Sequence, residues 1–232
     1  MTKANIANYV GEKVHSTDDD SLAVFKTFVD RRYEMIWNTE LWREALGTVS
    51  QTVASGTEII SLSTTMDFPV SAYWDEREIT PVDYQRVFQI NPALLAETGT
   101  PTDFIVLPKT TGPSGTYSQI KLLRIPDSSK TLLVLGKLYV TELGDNDSPK
   151  LSGIDNALVA FVEADALEYL QQYAKAQAKL QEAGAHLQLM RDMEKHQSAR
   201  VQQLVPDVES AWVANDFKIS GSLAQCSSIC AG

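Results

Sequence analysis

Histidine is the side chain most often used for acid–base chemistry near neutral pH, and this chain has three, at His15, His186 and His196. His186 and His196 are ten residues apart on one predicted helix. The helical rise separates them by about 15 Å, so they cannot hold one metal ion within a chain. His186 follows Glu182 by four residues, the spacing of an ordinary surface pair. The histidines therefore predict no catalytic centre.

Two cysteines, Cys226 and Cys230, lie in the last seven residues of the chain. Their spacing matches no standard zinc site, and no second ligand pair lies near them. We expect a tail pairing or two inert thiols, and the fold should not depend on either. The sequence also lacks the nucleophile motif Gly-x-Ser-x-Gly, the phosphate-binding P-loop and the dinucleotide motif Gly-x-Gly-x-x-Gly. We therefore expect no cofactor, no metal and no catalytic residues.

Carboxylates cluster in residues 18–20, in residues 145–147, and at Asp75, Glu76 and Glu78. The first cluster stands where a helix dipole favours acids. The second lies in a turn that lacks the later Gly and Glu of a calcium loop. Sugar hydrolases use paired acids beside aromatic rings, and two aromatic residues precede the third cluster. Neighbours on a short strand point to opposite faces, however, so the third cluster favours an exposed charged edge.

The charge of the chain limits its partners. Its 232 residues include 30 acidic and 20 basic side chains, a formal net charge of −10. Such a chain repels phosphate backbones, which argues against sequence-specific binding of nucleic acid. Plain solubility explains the charge, and an acidic wall also suits a tube through which DNA passes without sticking. Without a membrane-length apolar run or an apolar signal-peptide core, the chain is expected to stay in the cytosol that makes it.

The first 47 residues predict the N-terminal helices of a bundle. Residues 3–14 are suited to a short helix, and the acids that follow Ser16 and Thr17 favour a second helix start. Apolar residues then recur at three-to-four spacing through Trp42, which predicts a helix over 18–46.

Residues 48–150 predict a β-rich insertion, because β-branched residues without a helical stripe open this stretch. One or two strands are expected around a turn at residues 55–56. A short helix should start at Thr80 and Pro81 and end near Phe88. Three further strands are expected over Asp103–Leu107, Ser118–Ile125 and Leu132–Glu142, the last of them central because both of its faces are apolar.

Residues 151–200 predict one long helix that completes the bundle. Ser152 and Asp155 form a variant capping box. An apolar stripe with many alanines then predicts a helix over 155–199, which could break near Gly184. This helix would be about 65 Å long, more than a compact domain of this size covers by itself. It therefore needs partners from its own chain or from neighbours.

Residues 201–232 predict an extended arm, because they have no sustained period and contain Pro206. A frayed tail, or residues from a cloning or readthrough artefact, is the alternative. Isolated large apolar side chains favour an arm that becomes ordered on a partner. The predicted fold class is therefore α+β: a helical bundle with an inserted antiparallel β domain and an extended C-terminal arm. The candidate partner-binding residues are Leu204, Trp212, Val213, Phe217 and Ile219.

Four stretches within roughly residues 1–200 carry a resemblance to a known protein family. The stretches are Ile6-Ala7 to Val10-Gly11 with Arg31–Trp37 and Trp42; Glu97–Phe104; Ile125-Pro126-Asp127 with Leu132–Val134 and Tyr139; and Ala157–Met190 with Tyr169-Leu170 and Lys175–Lys179. In order and spacing they resemble the head-to-tail adaptor proteins of tailed bacteriophages, also called connector or head-completion proteins. The arm from residue 201 lies outside this resemblance.

The resemblance implies a structural virion protein that is not an enzyme. Such adaptors form a ring, usually of twelve copies, beneath the portal protein, where they extend the DNA channel and offer a platform for the next neck or tail protein. Their C-terminal arms often dock on the portal. The expected location is the phage neck, with the host cytoplasm before assembly. The alternatives are another neck or tail-completion protein, or a hydrolase whose site the sequence does not reveal.

Overall fold

The computed structural model describes residues 1–90, 92–113 and 115–204. It confirms the α+β class, with five α-helices and seven strands in the described residues. The chain divides into a unit of residues 1–187 and a unit that begins at Gln188, and the packing below lies within the first.

The first two helices begin at side-chain caps. Helix α1 spans Lys3–Val14, as predicted, and the hydroxyl of Thr2 accepts a hydrogen bond from the Asn5 amide. Helix α2 spans Asp19–Thr39, and the carboxylate of Asp18 accepts from the Ser21 amide at 2.9 Å. These bonds satisfy amides that a helix start leaves without partners.

The predicted end of the second helix was wrong by several residues. The apolar spacing continues to Trp42, but α2 stops at Thr39 and a 3₁₀ turn follows at Arg43–Ala45. The indole of Trp42 folds back and donates to the carbonyl of Ile36 at 2.8 Å, where Thr39 Oγ1 also donates. Side chains thus satisfy a carbonyl of the last turn, and the buried Trp42 ends the helix early.

The described strands are β1 Leu46–Val53, β2 Ile59–Ser61, β3 Met66–Trp74, β4 Arg77–Pro81, β5 Asp103–Gly112, β6 Gly115–Leu123 and β7 Lys130–Leu138. They form one seven-stranded sheet in the order β1-β7-β3-β4-β5-β6-β2. Strand β7 lies between two others, as its apolar faces predicted. Around residues 55–56, where one or two strands were expected, the structure has two, β1 and β2.

Two expectations about the β region were wrong. The sheet is not wholly antiparallel, because β4 and β5 pair in parallel. Thr80 and Pro81 do not start a helix; they end β4, and helix α3 begins later, at Tyr84–Ile90. The carboxylate of Asp83 accepts from the Gln85 amide at 2.8 Å and so takes the capping role.

The sheet curls around one main core. The hydroxyl of Ser118 on β6 donates to the carbonyls of Met66 and Asp67 on β3, although these strands are not neighbours in the sheet order. This contact encloses a core from most of the strands. Its buried members are Val53, Ile60, Leu62, Met66, Ala72, Trp74, Ile79, Phe104, Ile120, Leu122, Leu132 and Val134.

The single long helix predicted over residues 155–199 was wrong, because the chain forms α4 Ile154–Tyr169 and α5 Tyr173–Leu204. The break has the hydrogen bonds of a Schellman motif. The Gln172 amide donates to the Leu167 carbonyl, and Gln171, with a φ of 60°, donates to Glu168. Gln171 therefore adopts the left-handed conformation usually held by glycine.

Other details of these helices also differ from expectation. Gly184 lies inside α5 and does not break it. Gly153 is the N-cap of α4 and makes no side-chain bond, so the predicted capping box is absent. Asp155 instead pairs with the N-terminal amine of Met1 at 2.9 Å. Residues 201–204, predicted as the start of the arm, continue α5, because the first helix-breaking residue is Pro206.

Helices α1, α2 and α4 each pack against the other two, and together they are called the helical layer below. The guanidinium of Arg32 on α2 donates two hydrogen bonds to Asp165 on α4, at 2.7 and 2.5 Å, and lies over the Phe161 ring. Lys3 on α1 pairs with Asp30 on α2 at 2.5 Å. Ion pairs therefore cross between the helices around a shared apolar core.

Candidate interaction surface

One face of strands β1, β7 and β3 is turned away from the core, and we call it the outer sheet face. Leu132 and Val134 of β7 point into the core, so the alternating residues between and beyond them point outward. Leu133 is 39% exposed, Tyr73 is 39% exposed and Phe68 is 52% exposed. Large apolar side chains that are left in solvent on one face indicate a contact surface.

Strand register places these side chains in rows across the face. One row runs from Ser50 through Leu133 and Tyr73 to Glu78. A second row joins Leu46, Lys137 and Phe68. Register shifts in β3 on both sides of Phe68 mark bulges, and bulges redirect the side chains beside them.

Strand β1 forms an open edge of the sheet. It pairs with β7 over all eight of its residues, from Leu46 to Val53. Its other side has no strand partner among the described residues, and at its start the Leu46 amide donates to the Arg43 carbonyl. The strand contains no charge and no proline. It therefore lacks the features that discourage pairing with another chain.

A basic cluster lies at one end of the outer sheet face. Lys109 forms an ion pair with Asp67, and its ammonium lies 4.8 Å from the centre of the Tyr139 ring. Burial acts to lower the pKa of Lys109, but its bonds to Asp67 and Tyr139 raise that pKa overall. Burial lowers the pKa of the nearby Lys137, against the attraction of Asp67. Two cations thus share one carboxylate.

An acidic turn lies at the other end of β3. Asp75 and Glu76 form the two-residue connection to β4, with positive φ values of 47° and 71°. Such values are those of a type I′ hairpin turn. Asp75 pairs with Lys130 at 2.7 Å, whereas Glu76 and Glu78 are exposed. The acids at these positions form a charged end of the sheet, as predicted, and the described residues do not enclose them in a cleft.

Two grooves adjoin the helical layer. One, of about 400 Å³, runs between α2 and residues 140–143 and includes Asp30 and Tyr33. The other, of about 380 Å³, includes Glu163, Lys179 and Glu182. Lys179 lies 2.9 Å from Glu182 and 3.3 Å from Glu163, and the bond to Glu182 is the main cause of its raised pKa. The bond to Lys179 also lowers the pKa of Glu182, away from the near-neutral pKa that suits a general acid or base.

The other acidic clusters have structural roles. The amide and hydroxyl of Ser21 lower the pKa of Asp18, the α2 cap. Lys26 holds Asp145 at 2.6 Å and lowers its pKa. Asp147 accepts from the Gly144 amide at 2.9 Å. Within the ranges that the structure describes, no three His, Cys, Asp or Glu residues are placed to hold a metal ion.

The positions of the remaining residues named in the sequence analysis are as follows. The surface pair of His186 and Glu182 is confirmed, with 3.8 Å between His186 Nε2 and Glu182 Oε1. Leu204 is the last residue of α5, and its side chain is outside the described part of the chain. The remaining candidates for partner binding, and both cysteines, lie outside the described residues. They are Trp212, Val213, Phe217, Ile219, Cys226 and Cys230.

Sequence reasoning missed the two most unusual residues of the outer sheet face, Phe68 and Lys137. The signal for Lys137 was a single lysine inside the apolar run from Leu132 to Val140. The signal for Phe68 was weak, because an isolated Phe beside a Pro is as easily buried as exposed.

Comparison with known proteins assigns no function to this surface. No protein-family model matches the chain, and no curated protein is significantly similar to it. None of the helices in the described ranges is both long and apolar enough to cross a membrane.

Proposed function

We propose that this chain is a structural virion protein, a subunit of the head-to-tail adaptor ring in the neck of a tailed bacteriophage. The ring docks beneath the portal protein, extends the DNA channel and carries the next neck or tail protein. Its first partners are identical subunits, twelve to a ring. Assembly takes it from the host cytoplasm into the virion, and it performs no catalysis and binds no cofactor.

The open edge of β1 is the observation that carries this proposal. An eight-residue, uncharged edge strand is a template for another strand. The apolar side chains of the outer sheet face lie next to it. A surface of this kind suits a protein whose working state includes neighbouring chains.

Further features support the ring. The sequence resembles the adaptor family over roughly residues 1–200, and the net charge of −10 suits a channel from which DNA must slide freely. In the ring, α5 and the helical layer complete a bundle at the contacts between subunits. The arm, which follows α5, docks on the portal or on a neighbour through Trp212 and Phe217.

The central test is assembly with the portal. The full chain is mixed with portal rings of the same virus, and the product is examined by native mass spectrometry and electron microscopy. A closed ring of adaptor subunits on the portal is expected. A chain that remains a monomer and never binds the portal would overturn the proposal.

Two variants test the arm and the open edge of β1 separately. Removal of residues 201–232 is expected to abolish docking, and unimpaired docking would reject the role of the arm. Ser50→Lys places a charge on the open edge and should block ring formation. Ser148→Lys, at an exposed position in the loop between β7 and α4, is the matched control and should assemble normally.

A further inference from the structure

Lys137 is a nearly buried lysine that makes no direct ion pair within the described residues. It is only 9% exposed, and within the described residues no hydrogen bond or ion pair holds its ammonium. Its nitrogen is not among the fully enclosed polar atoms that lack a partner, so the tip still meets solvent. An unpaired charge in this position destabilises the fold, whereas an apolar side chain of similar length would not. The amine is therefore better suited to binding a ligand than to stabilising the fold.

The surroundings of Lys137 indicate the ligand. Lys109 and Lys137 share the single carboxylate of Asp67, which leaves one positive charge unmatched. Phe68, directly across from Lys137 in the strand register, is 52% exposed. Aromatic side chains, Phe among them, are enriched at the centres of protein interfaces. The matching group is a carboxylate on a polypeptide.

The same chain presents such carboxylates at the far end of β3. Glu76 and Glu78 are exposed, and within the described residues no ion pair holds either of them. Nine residues of β3 separate the two ends, a distance of about 27 Å. Opposite charges at opposite ends of one strand favour a head-to-tail contact between copies. Contacts of this type close into rings when the rotation between copies permits.

We propose that the basic cluster of Phe68, Lys109 and Lys137 binds the acidic turn, through Glu76 and Glu78, of the next copy of this chain. This inference rests on the proposed ring and names one of its contacts. The simpler interpretation is that the stem of Lys137 only covers the outer sheet face while its tip reaches water. In that case the turn of a neighbour would not approach it.

Zero-length cross-linking tests the contact directly. A carbodiimide joins a lysine amine to a carboxylate that touches it, and mass spectrometry of a mixture of ¹⁴N and ¹⁵N chains shows whether the bond crosses between copies. Mixed-isotope products that join Lys109 or Lys137 to Glu76 or Glu78 are expected. Asp75 and Lys130, which lie 2.7 Å apart in one chain, provide the internal positive control. An assembled ring without the mixed products would overturn the inference.

Substitutions give an independent readout. Lys137→Met removes the charge and keeps an apolar stem, and the pair Glu76→Gln and Glu78→Gln removes the acids. Each is expected to raise the protein concentration needed for ring formation by about tenfold or more, because a desolvated ion pair at an interface is lost. Lys150→Met and the pair Glu12→Gln and Glu142→Gln are the matched controls, since these side chains are exposed elsewhere.

The melting temperature separates binding from folding. Lys137→Met should melt at the same temperature as the natural chain or higher. Normal assembly by Lys137→Met overturns the inference whatever its melting temperature. If Lys137→Met melts lower and assembles poorly, the variant with Glu76→Gln and Glu78→Gln provides the test instead. Normal assembly of that variant then overturns the inference. Rings that form on the portal without the cross-link reject this contact alone, whereas absence of any ring rejects the proposed function.

Discussion

The helical layer and the outer sheet face differ in whether their charges are paired and in whether their large apolar side chains are buried. In the helical layer, Arg32 and Asp165 form two hydrogen bonds across helices, and both side chains are largely buried. Phe25 is fully enclosed there. On the outer sheet face, Lys137 is nearly buried without a hydrogen bond or direct ion pair to any described residue, and Phe68 is half exposed.

This difference concerns the charges: those of the helical layer are paired within the chain, whereas we propose that those of the outer sheet face are paired by another copy. A buried ion pair with complete hydrogen bonds is already compensated, and a change to it damages the fold. An unpaired buried amine and an open edge are compensated only when another molecule arrives. The following substitutions test that division, from the largest expected effect to the smallest.

The largest contrast is between two phenylalanines. Phe25→Ala should lower the free energy of unfolding by about 4 kcal/mol, because it opens a cavity in a packed site. Phe68→Ala should change it by no more than about 0.5 kcal/mol, because the ring is half in solvent. Urea unfolding followed by circular dichroism measures both. Equal losses would mean that Phe68 is part of the fold and that the outer sheet face is not a free surface.

The ion pair of the helical layer should come next. Asp165→Asn leaves the partly buried Arg32 without its counter-ion and should lower the free energy of unfolding by about 3 kcal/mol. Asp75→Asn, which removes an exposed pair with Lys130, is the control and should leave that free energy nearly unchanged. Chemical denaturation of both variants gives the comparison. A small effect at Asp165 would contradict the view that the layer is fixed by its charges.

Lys137→Met should stabilise the fold, by about 1 kcal/mol at neutral pH. The pKa of Lys137 is lower in the folded chain than its ordinary value of 10.5, so the unfolded chain binds more protons between those two values. The stability of the natural chain therefore rises with pH there relative to the variant. Asp67 and Lys109, the charged groups that act on Lys137, are present in both proteins. Their own effects on the pH dependence of stability therefore largely cancel when the two proteins are compared.

Thermal unfolding from pH 7 to 11 measures this difference. The advantage of Lys137→Met should be greatest at neutral pH and should shrink as the pH approaches 10.5, where the amine is increasingly neutral in both states. An advantage that grows with pH would contradict the assignment of Lys137 as an unmatched charge.

The smallest effect is expected at the break between α4 and α5. Gln171 has a positive φ, which glycine adopts without strain, so Gln171→Gly should stabilise the fold by about 0.5 kcal/mol. Gln177→Gly, at an exposed position inside α5, should instead destabilise it by about 1 kcal/mol. Paired thermal melts measure the opposite signs. The same sign in both would indicate that residue 171 continues the helix in solution.

The sequence predicted elements best where local signals agreed. Helix α1 matched its predicted range, and strand β7 lay between two others as its apolar faces indicated. The break at Gln171 was missed because a Schellman motif usually shows a glycine, and none is present there. The α2 end was missed because Trp42 fits the helical spacing and yet folds back onto Ile36.

By itself, the sequence determined the α+β class, the acidic surface and most element positions, because periodicity and turn chemistry act over a few neighbouring residues. Only the tertiary structure decided that Phe68 stands exposed beside an almost buried Lys137 and that β1 keeps an open edge. Those facts depend on which strands pair and in which register. A shift of one residue moves every side chain of a strand to the other face, and no local pattern records that choice.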